Sequence, residues 1–179
     1  DVLKEARKDF KDIEMIAVTQ GPGAFTGLRI AMATAKSLGL ALDVPVAGVC
    51  TFESVLLTAL NNPILCDAQK VTVVLETKRR DFYICTFDEN QNAITDKMAL
   101  VADDVEEVIK DSDVIVGDAV KRLSEEVSSH DCEMVEITMP DTKAIAKQAS
   151  ILKVISCEPA YIRPPDAIVS KNIRHIKSE

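Results

Sequence analysis

The sequence predicts an α/β fold, and three observations carry that prediction. Short apolar runs of strand length alternate with stretches whose apolar residues recur at helical spacing. In the middle, three strand-like runs follow one another with only short polar turns between them, and the last third alternates helix and strand again. That succession describes strands covered by helices, with some of the strands running parallel. The chain has 179 residues, 47% hydrophobic and 28% charged, the balance of a globular protein able to bury a core.

Residues 1–10 (DVLKEARKDF) set Leu3, Ala6 and Phe10 at helical spacing and read as the end of an amphipathic helix. Ile13 to Thr19 is a strand-length apolar run, Gln20 to Gly27 a loop, and a helix follows from Thr26 to Leu42. Val44 to Val49 predicts a strand with Pro45 at its start, where a missing N–H is tolerated. Thr51 fits the N-cap of a helix through Leu60, which Asn61-Asn62-Pro63 ends. Residues 61–70 break both periodicities and mark the expected domain boundary, with 1–62 the remainder of an N-terminal domain and 63–179 a C-terminal domain. Three strands follow as an antiparallel meander: Val71–Thr77, Phe82–Phe87 and Ala93–Val101. Then come helix 103–110, strand 113–117, helix 119–128, strand 133–137 and helix 141–155. Glu158 to Pro165 is extended, because each proline disfavours helix in the residue before it.

Composition excludes several function classes. The net charge of -8 argues against a chain that grips nucleic acid unaided, since phosphate contacts need clustered Lys and Arg. No apolar run approaches the roughly 20 residues of a membrane span, and no signal-peptide pattern opens the chain, so a cytoplasmic protein is expected. The five cysteines (Cys50, Cys66, Cys85, Cys132, Cys157) are odd in number and contain no C-x-x-C pair, which predicts reduced core thiols. His130 and His175 are the only histidines, so a His-based metal cage or a Ser-His-Asp triad would depend on one of them. Asp1 already lies inside a helical pattern, and a preceding segment is therefore expected.

Gly21-Pro22-Gly23-Ala24-Phe25-Thr26-Gly27-Leu28-Arg29 sits between a predicted strand and a predicted helix. Such a loop presents backbone N–H groups at a helix N-terminus, and its glycines permit positive φ and close backbone approach. No Gly-Lys-Ser/Thr follows, so it is not a phosphate-binding Walker loop, nor does it fit the dinucleotide fingerprint. A structural turn and a binding loop both remain open on these residues alone.

These nine residues, continuing into Ile30-Ala31, resemble the GPGSFTGLRIG signature of the TsaB (YeaZ) family, with Ala24 and Ala31 where that signature has Ser and Gly. Val44-Pro45-Val46-Ala47-Gly48-Val49 resembles the family's IPLVGV strand, Gly117-Asp118 its later Gly-Asp turn, and Pro159-Ala160-Tyr161-Ile162-Arg163 its P-x-Y-L-R segment. The resemblance implies the actin-like/Hsp70-like ATPase fold, two domains of ribonuclease-H-like topology. The family's opening strands, with the AIDTS phosphate-loop segment, are missing from this chain. It further implies a non-catalytic partner of the TsaD subunit in making threonylcarbamoyladenosine at position 37 of tRNAs reading ANN codons, with a TsaE-type ATPase completing the assembly. No cofactor is expected on this chain alone; ATP belongs to the assembled complex, and tRNA is reached only through it. The catalytic paralogue carries a His-x-x-x-His metal site after the strand equivalent to 46–49, where this chain reads Cys50-Thr51-Phe52-Glu53-Ser54-Val55. A buried thiol and a first-turn acid account for Cys50 and Glu53 better than a metal pair does, so no catalytic or metal residue is expected.

The helix after the signature bears on the partner. Leu28, Ala31, Met32, Ala35, Leu38, Gly39 and Leu42 form an apolar stripe; Ile30, Ala33, Ser37, Leu40 and Ala41 make the rest nearly apolar; and Arg29 and Lys36 are its only charges. A helix apolar nearly all round is buried on more than one side. Burial within its own fold is one reading; the resemblance makes it the face offered to TsaD or to a second copy. The expected interface is Ile30, Ala33, Ala35, Lys36, Ser37 and Leu40, so that Ala35→Glu would abolish heterodimer formation without changing circular dichroism. The rival readings are a nucleotide-dependent or glycoprotease-like enzyme of the actin-like superfamily, and a homodimeric interaction protein. Among other candidates, Lys78, Arg79 and Arg80 read as a solvated hairpin turn rather than a tRNA contact, and Asp118 as a turn or cap residue. Tyr161 and Arg163 read as packing across the domain face. The tail cations Lys171, Arg174 and Lys177, with His175, read as an inert terminus.

Overall fold

The computed structural model describes residues 2–127, 132–152 and 156–163. In chain order the elements are α1 (Val2–Glu5), a 3-10 turn at Phe10–Asp12, β1 (Ile16–Gly21), α2 (Phe25–Leu42), β2 (Val46–Cys50), α3 (Thr51–Ala59) and a second 3-10 turn at Pro63–Leu65. Then follow β3 (Lys70–Glu76), β4 (Asp81–Asp88), β5 (Met98–Val101), α4 (Ala102–Ile109), β6 (Val114–Gly117), α5 (Val120–Glu126), β7 (Glu133–Glu136) and α6 (Thr142–Ser150). The α/β class expected from the sequence is the class observed.

β1 and β2 form a parallel pair, with Ile16 opposite Val46 and Val18 opposite Gly48. The other sheet has five strands in the order β5-β4-β3-β6-β7. β3, β4 and β5 are the antiparallel meander, whereas β3, β6 and β7 run parallel. Both faces of β3 are buried, and its side chains alternate as a strand requires. Val71, Val73 and Leu75 turn toward α3, where they meet Phe52, Val55, Leu56 and Ala59. Val74 points the other way, joining Phe82, Ile84 and Ile115 under Val105 and Ile109 of α4 and Leu123 of α5. Thr72, on that second face, is satisfied by hydroxyl contacts with Thr86 at 2.8 Å and Ser112 at 2.6 Å, so the apolar layer carries no orphaned hydroxyl there.

The segments 1–62 and 63–179 share their helices. α3 lies before the expected boundary, but its apolar side is core for β3, β4 and β6. α6 lies after it and packs back on the first pair of strands, through Ala149 and Ile145 against Ala47, Val49 and Ala17. The two helices meet at the buried Ser54 hydroxyl and Gln148 amide, 2.7 Å apart.

Local differences from the sequence reading have physical causes. The opening helix is only Val2–Glu5, ended by Arg7 at φ 54. Cys50 rather than Thr51 is the N-cap of α3, since β2 runs straight into the helix. Of the predicted 93–101 strand, Ala93 makes a lone bridge to Phe87 of β4, and only Met98–Val101 pairs with β4 as a continuous strand. Before it, Thr95 Oγ1 takes the Thr86 N–H at 2.9 Å in place of a backbone partner, and Lys97 turns toward α3. Helix 141–155 ends at Ser150.

Gly117, at the end of β6, has φ 139, and a Cβ there would lie 2.0 Å from the Val74 carbonyl oxygen. The close crossing of β6 and β3 therefore admits no side chain. Gly117→Ala is expected to lower stability by about 3 kcal/mol, read as a reduced midpoint in urea denaturation at unchanged far-UV circular dichroism below the transition.

Candidate functional site

β1 delivers the chain to Gly21, which is buried at φ 117, with its hypothetical Cβ 2.7 Å from the Ala160 carbonyl oxygen. α2 then starts at Phe25 with Ala24 as an N-cap that makes no side-chain hydrogen bond, and with no acid in the first turn. The loop is closed from outside by residues 156–163. Gly48 N–H donates to the Ser156 carbonyl at 2.7 Å and Ala160 N–H to the Gln20 carbonyl at 2.8 Å. Tyr161 stacks on Phe25 with centroids 5.6 Å apart. Arg29 lies 3.8 Å from the Phe25 centroid, and its Nε donates to Tyr161 Oη at 3.0 Å. Arg163 pairs with Asp81 and lies 5.8 Å over the Tyr83 ring. Arg163 thus packs across to the five-stranded sheet, as expected, whereas Tyr161 stays on α2 and is half-exposed.

α2 shows two stripes. Leu28, Met32, Ala35 and Gly39 are buried, and Leu28 and Met32 meet Val18, Val46 and Cys157. Two residues along, about 200° round the helix, Ile30, Ala33, Ser37 and Leu40 are exposed, Ile30 by 63% and Leu40 by 86%. Of the expected interface residues, five lie outward and Ala35 does not. At 7% exposure it faces this chain's own core, so a glutamate there would damage the fold itself, and lost binding in Ala35→Glu would not report on an interface. Ala31 is exposed rather than part of the inner stripe. Lys36 is exposed but joined to Glu158 of the closing segment at 3.5 Å.

A second cluster stands where β2 becomes α3. Lys97 Nζ donates to Glu53 Oε1 at 2.9 Å and to Cys50 Sγ at 3.2 Å. Glu53 Oε2 is buried without a hydrogen-bond partner. Burial, then the neighbouring Glu53 charge, pushes the Cys50 thiol up to about 11; burial does the same for Cys85. Burial opposes the charge on Lys97 most strongly, but the hydrogen bonds and charges of Glu53 and Cys50 together outweigh it and raise its pKa above the ordinary lysine value. Lys97 went unread in the sequence because 44 residues separate it from Glu53. Among the described residues no group of three or more His, Cys, Asp or Glu is placed to hold a metal ion.

Asp118 accepts the Glu76 N–H at 2.8 Å, and burial pushes its carboxyl up, which fits the expected turn role. His130 and the tail residues Lys171, Arg174, His175 and Lys177 lie outside the described residues. Among the described residues no helix is long and apolar enough to cross a membrane.

The sequence family described as "TsaD: tRNA N6-adenosine threonylcarbamoyltransferase" matches residues 1–161. The chain belongs to that family. Relatives of the chain include proteins named tRNA threonylcarbamoyladenosine biosynthesis protein TsaB. The one from Buchnera aphidicola subsp. Schizaphis graminum (strain Sg) is 27% identical over 151 residues, 80% of this chain and 70% of the relative. The one from Buchnera aphidicola subsp. Acyrthosiphon pisum (strain APS) is 27% identical over 94 residues, and this chain spans only 41% of its length. The tRNA N6-adenosine threonylcarbamoyltransferase of Dictyoglomus turgidum (strain DSM 6724 / Z-1310) is 53% identical over 51 residues, 28% of this chain and 15% of the relative. Among solved structures, YeaZ from Pseudomonas aeruginosa superposes with a TM-score of 0.73 at 21% identity, covering 89% of this chain and 79% of that one. The fold is therefore that of YeaZ, the actin-like, ribonuclease-H-like architecture, and the resemblance to TsaB read from the loop holds.

A thiol whose pKa is raised on folding keeps its proton longer in the folded state. Its contribution to stability is full below the unfolded value near 9.0 and is lost as pH climbs toward the folded value of about 11. Thermal unfolding is thus expected to show a steady Tm up to about pH 9 and a fall above it, part of which Cys50→Ala removes. Lys97→Met is expected to cost about 1 kcal/mol at neutral pH, a modest value because the pair is partly exposed.

Proposed function

We propose that this chain is a non-catalytic partner of a TsaD-type catalytic subunit in forming threonylcarbamoyladenosine at position 37 of tRNAs that read ANN codons. The observation that carries the reading is the outward stripe of α2, on which Ile30 and Leu40 are 63% and 86% exposed with the small side chains of Ala33 and Ser37 between them. Isolated exposed apolar residues are ordinary, but a row of them at helical spacing suits a second helix, which small residues let approach closely. The TsaB names of the relatives support the same assignment. ATP enters with the assembled complex, a TsaE-type ATPase is the third component, tRNA is bound through the complex, and the assembly works in the cytoplasm.

The non-catalytic role rests on the junction of β2 and α3. Cys50 and Glu53 stand in the stretch where, by the resemblance, the catalytic paralogue carries a metal-binding histidine pair, and the ammonium of Lys97 lies on both of them. The chain thereby supplies its own cation at that point. A homodimer through the same stripe is the second reading, since a two-fold related copy presents the same apolar row.

Calorimetric titration of the chain against its TsaD-type subunit, with and without ATP, tests the proposal. Saturation near one to one is expected for the wild type. Leu40→Glu is expected to weaken it by at least about 30-fold, the cost of a buried interface anchor, with circular dichroism unchanged. Wild-type affinity in that variant would remove α2 from the interface. Light scattering on the chain alone identifies the homodimer.

A further inference from the structure

The turn between β3 and β4 places Lys78, Arg79 and Arg80 in succession, all exposed, on a backbone held from behind. Thr77 Oγ1 accepts the Arg79 N–H at 3.1 Å and donates to the Asp81 carbonyl at 2.6 Å, while Glu76 Oε1 accepts the Lys78 N–H at 2.6 Å. The half-buried Arg122 reaches the carbonyls of Arg79 and Asp81 at 3.2 and 2.8 Å. Lys78 itself sits at φ 55, a left-handed conformation that a lysine keeps only when its surroundings impose it. This turn is a preorganised platform.

The acids beside it are already engaged. Glu76 and Glu126 meet Arg122 at 2.9 and 3.2 Å, and Asp81 meets Arg163. Asp118 accepts the Glu76 N–H. What the turn offers outward is positive charge, on a chain whose net charge is -8. Arg163, which closes on Asp81, lies two residues after Tyr161, a reach of at most about 7 Å. The strip of chain that carries Tyr161 thus runs on to the residue that follows the basic turn, and in its stack with Phe25 and Arg29 the Phe25 ring is 54% and the Tyr161 ring 48% exposed. Exposed cations and exposed ring faces tied to one strip of chain match the chemistry of RNA, whose backbone attracts the former and whose unpaired bases stack on the latter.

We propose that the Lys78–Arg80 turn contacts the phosphodiester backbone of tRNA in the assembled complex; the proposal rests on the partner reading above. The chain's own negative charge opposes RNA binding in isolation, and the TsaD-type subunit brings the RNA to the turn.

Fluorescence anisotropy of a labelled tRNA transcript, titrated with the complex of this chain and its TsaD-type subunit over a range of salt, tests it. The variant is Lys78→Asn with Arg80→Gln, because Asn tolerates the left-handed conformation. Its complex is expected to bind the transcript about tenfold more weakly at low salt, with a log–log salt slope smaller by about 2. Co-elution with the TsaD-type subunit and the Tm are expected to stay as in the wild type. Unchanged affinity and slope in an intact complex overturn the proposal. So does loss of the protein subunit at unchanged RNA affinity, which assigns the turn to an acidic protein surface. A wild-type chain that does not co-elute with the subunit defeats the partner reading and this proposal together. A wild-type complex that forms but binds RNA without salt dependence defeats this proposal alone.

Discussion

β2 passes into α3 without a loop, Cys50 serving as the last residue of the strand and the cap of the helix. The helix is committed to the far side of the molecule, because Phe52, Val55, Leu56 and Ala59 are buried against β3, β4 and β6. Each large apolar side chain so buried is worth about 1.5–3 kcal/mol, and none can be withdrawn without reopening that layer. The direction of β2, and of β1 beside it, follows from where α3 must lie. α6 makes the same bond in reverse, descending onto β1 and β2 and meeting α3 at Ser54 and Gln148. The two sheets are coupled by a shared pair of helices rather than by a linker.

That coupling decides what α2 shows to the outside. With β1 and β2 held on one side, Leu28 and Met32 have a floor to pack on, and Ile30 and Leu40 are left facing outward. The closing segment 156–163 extends the same frame, bonded in turn to β2, to β1, to the start of α2 and to the start of β4, where the basic turn ends. The outward stripe of α2 and the basic turn are thus held by one strip of chain. The electrostatics of the junction follow the same economy of parts: Glu53, partly buried in the first turn of α3, is met by Lys97 from the segment before β5.

Much of this was legible in the sequence. The order of strands and helices, the α/β class and the loop at Gly21–Arg29 all follow from periodicity and breakers, since apolar spacing states the period of an element directly. Other features were hidden for identifiable reasons. α2 is apolar on nearly every side, so its sequence does not say which stripe turns inward, and Ala35, expected at the interface, is buried. Residues 93–97 carry strand-like residues, but Thr95 bonds with its side chain and Lys97 leaves for Glu53, which no local pattern reveals.

By itself the sequence determined the elements, their order and the family, because these depend on residues close together along the chain. Only the tertiary structure decided which face of α2 is free, that Arg29 meets Tyr161 across 132 positions of sequence, and that Lys97 serves Cys50 and Glu53. Those outcomes depend on which buried surfaces compete for the same space and on charges brought together from distant segments, and such competition is resolved only when the whole chain has closed on its core.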